Sequence, residues 1–247
     1  MVNQKITLPL PAHVVAREAW FFFIKNLGPF IHFIWLPLSL CLFIKSPFVA
    51  PFINVVWCEV IEQFLDILWV LQWIQYYANP QTQKTEGSFY FGKASLLYFG
   101  YSLFFSLPFI FFQNINFFQP YAVGLYMLGA LCILVLLVRV QFIFPSIALK
   151  NSTDLINAWK QSKGYGWPLL KAYGLILGAF YGALLLVLTL VAGGAFIFWN
   201  IDLFFFTGSF SRLPFILLST LKEISLFCVE ALILSVTTRY YLAATSK

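Results

Sequence analysis

Long apolar runs, parted by short polar connections, constrain this chain more than any other feature, because no single domain in water could cover so much apolar surface. Of its 247 residues, 61% are hydrophobic and 10% are charged, whereas a soluble domain carries roughly 25% charged side chains. That balance excludes a soluble fold. A bilayer core instead demands about 20 apolar residues per helical crossing, with every backbone polar group satisfied inside the helix. The sequence therefore predicts an all-α polytopic membrane helix bundle of about six transmembrane helices, forming a single integral membrane domain over residues 1–247.

The crossings are expected at about 27–44, 49–77, 94–112, 121–149, 167–199 and 213–241. Pro29 and Pro37 fall in the first, where neighbouring helices can satisfy freed backbone groups. Ahead of it, residues 12–26 mix charges with Val14, Val15 and the Trp20-Phe21-Phe22-Phe23 cluster, the pattern of an amphipathic interfacial helix. Lys5, Arg17 and Lys25 before an apolar run resemble a signal peptide, but Lys45-Ser46-Pro47-Phe48 offers no small-residue cleavage site, so this run reads as a retained span. Trp73, Tyr76 and Tyr77 read as an aromatic belt ending the second crossing. The short uncharged link 113–120 makes the third and fourth antiparallel neighbours. Residues 151–165 open with Ser152-Thr153-Asp154 and set Leu155, Ile156 and Trp159 against Lys160 and Lys163, which predicts a short amphipathic surface helix.

Charge provides a separate check on this parsing. Lys5, Arg17, Lys25, Lys84, Lys93, Arg139, Lys150, Lys160, Lys163, Lys171, Arg239 and Lys247 lie nearer the N-terminal side, and Lys45, Arg212 and Lys222 nearer the other. The twelve-to-three bias puts both termini in the cytoplasm. It also explains the formal charge of +6 without nucleic acid, since the basic residues cap apolar runs and form no water-facing stripe with aromatics beside it.

Seven ionisable residues fall inside the expected hydrocarbon zone: Glu59, Glu62, Asp66, Arg139, Lys222, Glu223 and Glu230. Each is costly there unless paired or hydrated, so they are the candidates for a binding site or an ion pathway. Glu59, Glu62 and Asp66 share one face of the second crossing, and Glu223 and Glu230 one face of the sixth. At about 1.5 Å per residue, Asp66, Arg139 and Glu230 lie roughly 15 Å from the cytoplasmic end, and Glu59 and Lys222 at similar depth from the other. Two ionic clusters are expected: Arg139 with Asp66 and Glu230, and Lys222 with Glu59 or Glu62. These groups either hold the second, fourth and sixth crossings together as polar glue or conduct protons or cations. Gly174, Gly178 and Gly182 form a smooth stripe read as a helix-packing surface, within the monomer or against another copy.

Cys41, Cys58, Cys132 and Cys228 all fall in apolar segments and read as small buried hydrophobes. His13 and His32 are isolated from one another and from any cysteine at ligand spacing, so no metal is expected. No catalytic or nucleotide-binding motif occurs, and the loops are too short for a soluble catalytic domain, so neither a catalytic residue nor a cofactor is expected.

The stretch RVQFIFPSIALKNSTDLINAWKQSKG, from Arg139 to Gly164, resembles a pattern in a group of bacterial membrane proteins. The group includes the YciC-like inner-membrane proteins and the membrane domain beside some glycerophosphodiester phosphodiesterases. The matching positions are Arg139, Pro145, Ser146, Ile147, Ala158, Ser162, Lys163 and Gly164; Ser146 stands for the usual Ala and Lys150 for an acidic residue. The resemblance implies a bacterial inner membrane and an obscure role; together with the missing catalytic motifs it leads to the expectation of a non-enzymatic protein of envelope or lipid homeostasis that binds lipid or a protein partner. A second expectation is a small transporter or channel using the intramembrane carboxylates, and a third is a membrane-embedded lipid enzyme, which would need a polar cavity open sideways to the bilayer.

Overall fold

The computed structural model describes residues 10–46, 49, 55–80, 92–113, 138, 140–150, 154–199 and 212–246; for 55, 56, 59, 105–113, 150, 188, 190–199 and 212–219 it describes the backbone alone. Among the described residues the architecture is all helical, without a strand. The helices are α1 (Ala12–Lys25), α2 (Leu27–Ile44), α3 (Val55–Ala78), α4 (Lys93–Gln113), α5 (Ile143–Lys150), α6 (Leu155–Gln161), α7 (Gly166–Trp199) and α8 (Arg212–Thr245). Residues 121–137, most of the fourth expected crossing, lie outside the described residues.

Two described helices are long and apolar enough to cross a membrane, Leu27–Ile44 and Gly166–Val187. A soluble protein's core helix is also apolar, but it is covered. Here 28% and 17% of the two apolar windows are buried, and Ile31, Trp35, Phe43, Leu185 and Leu186 stand exposed. Exposed apolar side chains gathered in this way mark a surface suited to lipid, a ligand or another protein. Pro37 lies inside α2 without ending it.

The packing order follows from side-chain pairs. Trp69 meets Phe227, and Trp73 donates through Nε1 to the Ala231 carbonyl (2.9 Å) and to Ser235 Oγ (3.0 Å), so α3 and α8 run parallel. Phe30 meets Trp73, while Lys45 just past the other end of α2 meets Glu62, so α2 runs antiparallel to both. Ser102 donates to Gln63 and Tyr98 stacks on Phe144, which brings α4 and α5 to the other side of α3. Gln75 Nε2 donates to the Ala148 carbonyl at 3.0 Å, and Phe142 packs on Tyr241. The segments expected as the second, fourth and sixth crossings are therefore neighbours where they are described.

One correction concerns the aromatic belt. Trp73 is fully buried and Tyr76 nearly so; they pack with Phe22, Phe23 and Phe30 at centroid separations of 5.4–6.2 Å, mostly edge to face. The reason is α1, whose Phe22 and Phe23 cover what would otherwise be the rim of α3. α1 buries Val15, Ala16, Ala19 and Phe23 and turns Arg17, Phe21, Ile24 and Lys25 outward. Glu18 meets Arg239 Nε at 2.8 Å, and Tyr240 Oη donates to the Leu10 carbonyl, which fastens α1 to the end of α8. A two-turn α6 begins at Asp154, whose Oδ1 accepts from the N–H groups of Ile156 and Asn157. It ends at Gln161 with Ser162 as its C-cap, and the turn into α7 passes through Gly164, whose φ of +87° is the left-handed conformation that favours glycine.

Candidate functional site

α8 runs beyond the end of α2 by about three turns, so Glu223 lies level with Lys45, the residue after α2. From α3, Glu62 reaches the same point. The Lys45 ammonium stands 2.9 Å from Glu62 Oε1 and 3.0 Å from both carboxylate oxygens of Glu223. An ammonium has three protons, and three acceptor oxygens meet it here. Burial opposes the Lys45 charge, but the hydrogen bonds and charges of Glu62 and Glu223 outweigh it and hold the group above its ordinary 10.5.

This geometry corrects the expected pairing of Lys222 with Glu62 and leaves its alternative pairing with Glu59 outside the described residues. Lys222 is exposed, and the cation facing Glu62 is Lys45. The reason is rotational: one residue along a helix turns about 100°, so with Glu223 aimed at α2 and α3, Lys222 faces outward. Sequence reasoning placed Lys45 in a loop on the outer side. Its signal was its position, at the end of a helix whose carbonyl terminus favours a cation. Glu59 lies on α3 but its side chain is outside the described residues, and Arg139 lies outside them altogether, so the expected cluster of Arg139 with Asp66 and Glu230 is only half in view.

Of that cluster, Asp66 and Glu230 come within electrostatic reach of each other across the α3–α8 interface, and both act on Tyr98 of α4. Trp69 Nε1 lies 3.4 Å from Asp66 Oδ1, and both acids are partly buried. Tyr98, Gln63 and Ser102 were not singled out from the sequence, because uncharged polar residues in an apolar run look like any tolerated substitution. Further along α8, Tyr173 Oη meets Gln141 and, at 2.6 Å, Thr237 Oγ1. Ser235 Oγ donates to the same Ala231 carbonyl that Trp73 meets. Polar groups thus recur along α8 at positions 223, 230, 235 and 237 on surfaces turned toward its neighbours.

Of the two expected uses of Gly174, Gly178 and Gly182, packing within the monomer is not seen among the described residues, and packing against another copy is untested. A Cβ added at any of them meets nothing within 4 Å, so no described helix packs on the stripe. α7 instead presents Ala172, Tyr173 and Ile176 to the interior, and Phe180 stacks on Trp20 of α1; the glycines fall on the opposite side. Among the described residues no three His, Cys, Asp or Glu side chains converge as a metal would require. Comparison of this chain with protein-family models, with curated proteins and with solved structures finds no match.

Proposed function

We propose that this chain is a non-enzymatic, multi-pass protein of a bacterial inner membrane, crossing it six times with both termini in the cytoplasm, and serving envelope or lipid homeostasis by binding lipid or a protein partner. The observation that carries the reading is the uncovered apolar surface of α2 and α7, whose windows are 28% and 17% buried. Lipid is the medium in which such helices are stable. The clustering of Arg17, Lys25, Lys160, Lys163, Lys171 and Arg239 on α1, α6, the start of α7 and the end of α8 supports the orientation. The resemblance of residues 139–164 to the YciC-like group supports the inner membrane.

Labelling of single cysteines from each side of inverted and right-side-out vesicles tests this. Positions 17 and 163 should react from the cytoplasmic side and position 222 from the other. Release of the chain by alkaline carbonate, or positions 17 and 222 reacting from one side, would refute it. A second reading, proton or cation transport, is favoured by the Asp66, Glu230 and Tyr98 neighbourhood. Asp66→Asn in liposomes separates the two: loss of a pH-dependent flux with folding intact supports transport, whereas impaired folding without any wild-type flux supports polar glue.

A further inference from the structure

We propose that the corner between α6 and α7 binds anionic phospholipid of the cytoplasmic leaflet; this rests on the membrane reading above. The corner is held from within. Asp154 caps α6 through two N–H groups at 3.0 and 3.1 Å, Ala158 and Ser162 are buried, and the Tyr165 ring packs on Tyr240 and Phe142 at 5.8 and 6.0 Å. A surface anchored this way presents its outward side chains in a fixed arrangement.

Those outward side chains mix two kinds: Ile156, Lys160, Lys163, Trp167 and Lys171 are all exposed. Spacings of three and four residues keep neighbours along each helix on one side. The Lys171 ammonium stands 5.3 Å from the centroid of the exposed Trp167 ring, a distance suited to a cation–π contact. From residue 155 to 171 the sequence holds three lysines and no acid, and the Asp154 carboxylate before them is engaged in the cap. An indole belongs at headgroup depth, and ammonium groups beside it meet phosphate oxygens. Apolar side chains flanking the charges distinguish this surface from one made for a water-borne polyanion. With lysines and no arginine, recognition is by charge and not by the bidentate shape of one headgroup, so phosphatidylglycerol and phosphatidylserine should serve equally.

The test uses the full chain in vesicles of phosphatidylcholine doped with brominated phosphatidylglycerol or with brominated phosphatidylcholine. Quenching of Trp167 is isolated as the difference between wild type and Trp167→Phe. The brominated phosphatidylglycerol should quench preferentially, and the preference should fall by up to about fivefold per lysine removed in K160Q/K163Q/K171Q, while K222Q leaves it unchanged. K171Q alone serves if the triple variant does not fold, with a loss of up to about fivefold. Equal quenching of wild type by the two lipids, or a preference untouched by the lysine substitutions, overturns the inference and leaves the membrane reading standing. No quenching by either lipid would instead overturn the membrane reading.

Discussion

Replacing Lys45 with Met keeps most of the stem and deletes the charge that joins α2 to α3 and α8. The cost follows from how deep the three groups lie. Removing one partner of a fully buried ion pair costs about 3–5 kcal/mol, and a fully exposed pair is worth about 0–1 kcal/mol. The side chains here are 31% exposed for Lys45, 22% for Glu62 and 7% for Glu223, so most of the loss falls on Glu223. It forfeits two hydrogen bonds to an ammonium in a place where water reaches it poorly. A loss of about 2–3 kcal/mol is expected, between those two limits. Glu223→Gln keeps an acceptor for Lys45 and leaves Glu62 in place, and should cost about 1–2 kcal/mol. If the two side chains act on each other, the double variant loses less than the sum, with a coupling of about 1–2 kcal/mol. Reversible unfolding in bicelles, read by tryptophan fluorescence on all four proteins, provides the cycle. A Lys45→Met loss under about 0.5 kcal/mol, or strict additivity, would show that the contact contributes nothing to stability.

Four further outcomes follow from the geometry. Because Lys45 is raised above 10.5 in the folded chain, its stabilisation is complete below that pH and is lost as pH rises through the higher folded value; the stability difference between wild type and Lys45→Met should shrink on alkaline titration, and a constant difference would contradict the pairing. Trp73→Phe removes the N–H shared by Ala231 and Ser235 but keeps most of the buried ring, so unfolding should cost about 1–2 kcal/mol less, against about 3–5 for Trp73→Ala. Gly174→Ala and Gly178→Ala meet open space and should raise stability by up to about 1 kcal/mol each through helix propensity; a clear loss would mean that another helix or another copy packs on the stripe. Gly164→Ala, at φ +87°, should destabilise by about 1 kcal/mol, measurable as a lower Tm.

The helical class was legible because apolar run lengths and polar breaks are properties of the chain alone. The ends of α1 and the start of α6 were legible for the same reason, since Asp154 caps through its own neighbours. What each helix faces was not legible. Lys222 and Glu223 are adjacent in sequence and opposite in role, and only the rotation of α8 about its axis decides which one points at α3. The glycine spacing at 174, 178 and 182 likewise marks a face without saying whether anything lies against it. Trp73 read as a rim residue because its distance from the loop was known, whereas the cover supplied by α1 was not.

The same logic explains why three of the candidate carboxylates, Glu59, Glu62 and Asp66, lie on α3. It is the helix that meets α2, α4, α5 and α8 at once, through Trp73, Gln63, Gln75 and Glu62 among others. A helix surrounded by others has little surface left for lipid, so carboxylates there avoid the hydrocarbon that would make them costly. α7 is the converse case: Gly174, Leu175, Gly178, Gly182, Leu185 and Leu186 face outward, and between Gly174 and Val187 the sequence carries no charged residue. Charge on the surrounded helix and its absence from the outward one are two results of one constraint, the cost of a polar group in lipid. On the membrane reading proposed above, a ligand or ion entering the bundle would meet the carboxylates of α3, and lipid would meet α2, α7 and the lysine-bearing corner.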